Sequence, residues 1–191
     1  TRIVGHVRYD GTDFQGFQIQ GEANGKRTPR TVQGTLVGAL RTRFQVPDLK
    51  VVGASRTDAG VHAENQTFHF DVPYELAELE KTLRLDGADV AEGLKRASYA
   101  VNSMLPDDVR LHDLHLAPAP LYSPRFCTHL PFHAIYSPIS KTYEYRFTLQ
   151  YISNPLHHRF VGQFPFLPRG RSGEVPHRVR TEELLPRLVD L

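Results

Sequence analysis

The chain has 191 residues, of which 40% are hydrophobic, a mean hydropathy of −0.39 and a formal net charge of +2. That is enough apolar material for one large or two small domains, and no apolar run approaches the ~20 residues of a membrane helix. The single cysteine, Cys127, excludes an intrachain disulfide, and the start Thr1-Arg2-Ile3 lacks the basic and apolar regions of a secretion signal, so a reducing cytoplasm is the expected location.

Arg2 to Asp10 is short, rich in Ile and Val, and ends at the turn dipeptide Asp10-Gly11, which predicts a strand. Gly16 to Arg30 reads as loop. Thr31 supplies a capping hydroxyl, and Val32, Leu36, Leu40 and Phe44 recur every four residues, so a helix follows and stops at Pro47-Asp48. Leu49 to Ala54 is a second strand, and Ser55 to Ala63 a polar link. In Asn65 to Val72, Gln66, Phe68, Phe70 and Val72 alternate with Thr67, His69 and Asp71, the pattern of a half-buried third strand. Glu75 to Arg84 and Glu92 to Leu105 are helical, the second stopped by Pro106. Val109 to Ala117 is a strand.

Strand, helix, strand, strand, helix, strand is the order of the ferredoxin-like split βαβ unit. The expected fold is therefore α+β: residues 2–117 form an antiparallel sheet with helices on one face. Four prolines between Ala117 and Pro131 mark a linker. Thr142 to Leu149 alternates again, Tyr143, Tyr145 and Phe147 against Thr142, Glu144 and Arg146, and predicts a strand opening a second unit. Residues 118–191 are thus expected to be a linker and an incomplete second α+β domain.

Arginine greatly outnumbers lysine, and its planar fork suits phosphate better than a point charge does. Basic residues gather in two loops, one with Lys26, Arg27 and Arg30, the other with Arg159, Arg169, Arg171, Arg178 and Arg180 opposed only by Glu174. Charge pattern alone describes such loops equally well as solvated surface.

The segment Gly53 to Ala63 joins two predicted strands. Asp58-Ala59-Gly60 is a good turn, and Arg56 could simply pair with Asp58. The same geometry presents a carboxylate from a rigid base, with a cation two residues away to orient it and keep it ionised, as covalent catalysis at a sugar or base requires.

Arg56-Thr57-Asp58-Ala59-Gly60-Val61-His62-Ala63 resembles the catalytic loop of the bacterial tRNA pseudouridine synthase I (TruA-type) family. Four further segments resemble that family in the same order: Tyr9 to Gln18, Thr31-Val32-Gln33-Gly34, Asn102 to Val109, and Phe132-His133-Ala134 followed by Lys141 to Arg146. The resemblance implies that Asp58 is the catalytic aspartate, that Arg56 orients it and helps open the RNA stack, and that Tyr143 lies against the target uracil. It implies isomerisation of uridine to pseudouridine in the anticodon stem-loop (tRNA positions 38–40), with tRNA and a second copy of the chain as partners. The C–N glycosidic bond breaks and a C–C bond forms without redox change or loss of a group, so no cofactor is expected. The carboxylate either adds covalently or removes a ribose proton. Lys26, Arg27, Arg30, Arg56 and Arg146 are the expected phosphate contacts.

The chain departs from the family in three ways. It ends before the second-half motifs, so a C-terminal truncation is expected. Gly21 to Arg30 is longer than the usual connection, and Ile135 stands where the family carries arginine. The histidines do not predict a metal site: alternation puts His112 and His115 on opposite faces of a strand, and His157 and His158 adjoin in a loop. No Gly-Lys-Ser/Thr completes a phosphate loop. The rival reading is a non-catalytic RNA-binding module whose sheet stacks bases on Phe68 and Phe70.

Overall fold

A computed structural model describes residues 1–21, 29–85, 89–123, 125, 127–148 and 154–163. The elements in chain order are β1 (Arg2–Tyr9), α1 (Val32–Phe44), β2 (Val51–Gly53), β3 (Ala63–Asp71), α2 (Leu76–Leu83), α3 (Val90–Asn102), β4 (Val109–Leu116), β5 (Leu121–Ser123), β6 (Thr128–Leu130), β7 (Phe147–Thr148) and β8 (Gly162–Gln163). Two compact units are present, Thr1–Lys141 and Thr142–Leu191.

In the first unit the sheet runs β2-β3-β1-β4 with every neighbouring pair antiparallel. The helix between β1 and β2 spans β3, and the helices between β3 and β4 span β1, which is the expected ferredoxin-like arrangement. Register follows the alternation of apolar residues. Ile3 faces Phe70, Gly5 faces Phe68 and Val7 faces Gln66. Phe68 and Phe70 are both buried with Leu36, Leu40, Phe44, Leu94 and Val101 of the helices. The rings of Phe44 and Phe70 meet edge to face at 5.1 Å. Gly5 leaves room for Phe68, since a Cβ there would stand 2.5 Å from the ring.

Capping sets the helix boundaries. Thr31 accepts from the Gly34 amide at 3.2 Å, and Gln45 closes α1 in the left-handed conformation. Asp89 caps α3 by accepting from the Glu92 amide at 2.7 Å, so that helix begins earlier than apolar periodicity indicates. It also ends earlier. The Asn102 carboxamide donates to the Leu111 carbonyl at 2.6 Å and accepts from its amide at 2.9 Å, which ties the end of α3 to β4 and stops the helix before Leu105.

The pairing of β1 with β4 departs from simple alternation. The β1–β4 register shifts between His6, which faces Asp113, and Val7, which faces Leu111. His112 is therefore the extra residue of a bulge. Its ring lies 5.9 Å from that of His6, and the His115 ring lies 5.6 Å from the same His6 ring. The strict alternation that would part His112 from His115 is thus broken by the bulge.

The first unit also continues past residue 117. A short β5–β6 hairpin follows, and then Phe132–Ala134 packs on the sheet face opposite the helices. There the Ala134 amide donates to Nδ1 of buried His69 at 3.1 Å, and Arg2 donates to the Phe132 carbonyl at 2.6 Å. Burial, with Arg2 and His133 adding, lowers the His69 pKa to about 4, so the ring is a neutral acceptor.

In the second unit β7 and β8 pair in parallel, and the Gly162 amide donates to the Arg146 carbonyl at 2.9 Å. The strand expected from Thr142 is confined to Phe147–Thr148, and Tyr143 and Tyr145 are exposed.

Candidate active site

The link between β2 and β3 is short and is held from one side by the loop after β1. Pairing of β2 with β3 ends at Gly53, where a Cβ would stand 2.4 Å from the Phe17 ring. The Ala54 amide donates to the Thr67 carbonyl at 2.8 Å, and the Gln66 carboxamide donates to the Ser55 carbonyl at 2.6 Å. Beyond Ser55 the link leaves β3. The Phe17 amide then donates to the Thr57 carbonyl at 3.0 Å, and the Gly60 amide to the Phe14 carbonyl at 3.3 Å. The Val61 amide closes a turn on the Asp58 carbonyl at 3.2 Å. Gly60 adopts φ +79°, a conformation that favours glycine and lets this turn form.

Side chains reinforce the same seam. The Tyr9 hydroxyl lies 2.8 Å from the Thr57 hydroxyl, and burial raises the pKa of its phenol despite that bond. The Gly11 amide donates to His62 Nδ1 at 3.1 Å, and the same nitrogen lies 3.0 Å from Asp10. The two backbones touch. A Cβ at Gly11 would stand 1.9 Å from the Val61 carbonyl oxygen, and one at Gly16, itself at φ +94°, 2.8 Å from that of Thr57.

Between these loops lies a cleft of about 300 Å³, lined on one side by Gln15 to Gln20 and on the other by Arg56, Thr57, Asp58 and Ala59. Arg56 and Asp58 are both exposed, and both line it. No ion pair joins them. Among the described residues no hydrogen bond or ion pair engages the Asp58 carboxylate, which is held only through its backbone. The arrangement presents an unengaged carboxylate and a guanidinium to one opening from a braced loop.

The other expected site residues have different settings. Arg30 forks onto Asp108 with two bonds of 2.8 Å, and its guanidinium lies 3.9 Å over the Phe14 ring. It braces the loop after β1. Lys26 and Arg27 lie outside the described residues. Tyr143 and Arg146 belong to the second unit. Tyr143 is 65% exposed, and Arg146 pairs with Glu144 at 2.7 Å. Tyr9, Phe17 and the Gln15–Gln20 wall were assigned no role from sequence. The glycines Gly11 and Gly16 were the available signal, since each marks a close backbone approach.

No family model matches the chain. It is similar to tRNA pseudouridine synthase A of Latilactobacillus sakei, with 38% identity over 160 residues, 84% of this chain and 51% of that protein. The proteins of the same name from Lactobacillus acidophilus and Leuconostoc mesenteroides are each 35% identical, over 87% and 83% of this chain and 51% and 52% of their own length. The chain spans about half the length of the curated relatives it matches. Over the part it spans, the chain is homologous to the proteins named tRNA pseudouridine synthase A.

Proposed function

We propose that the chain carries the catalytic loop of a tRNA pseudouridine synthase, with Asp58 as the carboxylate that acts on the target uridine. The observation that supports this most is the contrast between a loop backbone held by the β1 loop and a carboxylate that no described residue engages. A structural aspartate in a turn would normally spend its oxygens on nearby amides or cations. This one faces a cleft beside Arg56.

In the proposed reaction Asp58 acts on the ribose or the base as the C–N glycosidic bond breaks. The freed uracil turns within the cleft, its C5 bonds to the same ribose carbon, and the C5–H bond then breaks, its proton leaving as the freed N1 gains one. No electrons leave the system, so these steps call for no cofactor. Arg56 offsets the phosphate charge beside the carboxylate and occupies the space an extruded base vacates. Tyr143 is the proposed stacking partner of the uracil. The anticodon stem-loop as target and a homodimer as the working unit rest on the family resemblance, and the cytoplasm as the location rests on the single cysteine.

A sheet that only binds RNA is disfavoured by the burial of Phe68 and Phe70 under the helices, which leaves neither ring to stack on a base. The test is Asp58→Asn in a protein of the relatives' full length, with pseudouridine formation on tRNA as the readout. Activity is expected to fall by at least about 10³-fold, with tRNA affinity retained. Turnover near that of the unaltered protein would restore the reading of Asp58 as a turn residue.

A further inference from the structure

The sheet face opposite the helices carries a second cluster of chemistry-bearing side chains, remote in sequence from the Asp58 loop. His6 on β1 and Asp113 on β4 face one another in the register, and His115 follows two residues along β4 on the same side. His6 Nδ1 lies 3.3 Å from Asp113 Oδ2, and His115 Nδ1 lies 3.0 Å from the same oxygen. The two imidazole rings are stacked, 26° from parallel. The bulge at His112 adds a third imidazole beside His6.

From this convergence we infer that His6, Asp113 and His115 form a binding site for a divalent transition-metal ion of the zinc class.

The distances suit such an ion. Zinc binds imidazole nitrogen at about 2.0–2.1 Å and carboxylate oxygen at about 2.0–2.2 Å, so donors on a tetrahedron stand about 3.3 Å apart. The two nitrogen–oxygen separations already match that edge, and all three donor atoms lie within 4.8 Å of one another. Two imidazoles and one carboxylate, with a fourth position left open, are a donor set that zinc accepts.

Simple ion pairing explains the cluster less well. One carboxylate oxygen would serve two imidazoles, and if both were charged they would repel each other at stacking distance. Arg8, the nearby cation on β1, is paired with Glu64 at 2.9 Å, so Asp113 is not needed to neutralise it. The bulge also has a purpose on this reading, since it re-aims a side chain that regular pairing would turn into the core. A bound ion would clamp central β1 to edge strand β4 across more than 100 residues of sequence.

The experiment is titration of the chelator-treated protein with Zn(II) alone, by calorimetry and by elemental analysis after dialysis. A parallel Co(II) titration is read by the visible absorption of tetrahedral cobalt. One Zn(II) per chain is expected, with the tetrahedral cobalt spectrum. His115→Ala, on the more exposed strand, is expected to weaken binding by more than about 100-fold, since even second-shell changes cost 10–100-fold. Asp113→Asn should do the same, and His6→Gln serves as the milder change at the less exposed position. His157→Ala with His158→Ala, at the adjoining pair of the second unit, should leave stoichiometry and affinity unchanged. Absence of stoichiometric binding would overturn the proposal. So would binding that survives His115→Ala and Asp113→Asn, or that disappears when only His157 and His158 are changed.

Discussion

Gly11→Ala tests whether the carboxylate is positioned by backbone contact. A methyl group at Gly11 would stand 1.9 Å from the Val61 carbonyl oxygen, and real Cβ contacts are essentially never under 3.0 Å, so the two loops must part by about 1.1 Å. Neither contacting atom is the end of a flexible side chain, so relief requires backbone movement. Overpacking of this kind costs roughly 1–3 kcal/mol. For a chain of this size about 2 kcal/mol lowers Tm by roughly 4–8 °C. Val61 is three residues beyond Asp58 and closes the turn on its carbonyl, so the displacement passes directly to the carboxylate. A misplacement of about 1 Å costs on the order of 100-fold in rate. The assay pairs thermal unfolding with single-turnover pseudouridine formation in a protein of the relatives' full length. A Tm drop of the expected size with unchanged turnover would refute the reasoning, because the Val61 carbonyl would then move without carrying Asp58.

Tyr9→Phe removes the bond to the Thr57 hydroxyl and should lower stability by about 1 kcal/mol, measured by urea unfolding. His69 has its pKa lowered from 6.5 to about 4, so the unfolded chain binds a proton that the folded chain resists. Its contribution is complete above pH 6.5 and is lost as pH falls towards 4, at up to about 1.4 kcal/mol per pH unit. His69→Asn, which keeps an acceptor for the Ala134 amide, should flatten the stability–pH profile in that window. Changing Lys26, Arg27 and Arg30 together to alanine should flatten the salt dependence of tRNA affinity. Because Arg30 is engaged by Asp108, the slope should change by roughly two phosphate contacts rather than three, at about 0.7–0.9 per contact. An unchanged slope would mean that the loop points away from RNA.

The sheet was legible because its register follows alternation. Phe68 and Phe70 declare one face, and Gly5 and Ile3 face them across β1. The bulge at His112 was missed although it leaves a mark, since the apolar positions change phase from Val109 and Leu111 to Leu114 and Leu116 across His112-Asp113. The α3 boundaries escaped periodicity because Asp89 and the Asn102 carboxamide set them through hydrogen bonds. At the candidate site Asp58 and Arg56 stood out in their turn. The opposite wall is more than 35 residues away in the chain, and the Tyr9–Thr57 and Phe17–Thr57 bonds are not encoded in any local pattern. The strand expected from Thr142 shrank to Phe147–Thr148, and exposed Tyr143 and Tyr145 show that alternation alone does not make a ladder.

The central position of β1 has a consequence for biosynthesis. Its two neighbours are late arrivals: Ile3 must find Phe70 on one side and Leu116 on the other. At roughly 5–20 residues per second of translation, more than 100 residues separate β1 from its second partner by roughly 5–20 s. Through that interval a strand carrying Ile3, Val4 and Val7 emerges with an open edge. Such non-local pairing is slow and exposed to aggregation. The nascent chain is therefore expected to engage holding chaperones through β1, and synthesis slowed ahead of β4 should reduce the soluble yield.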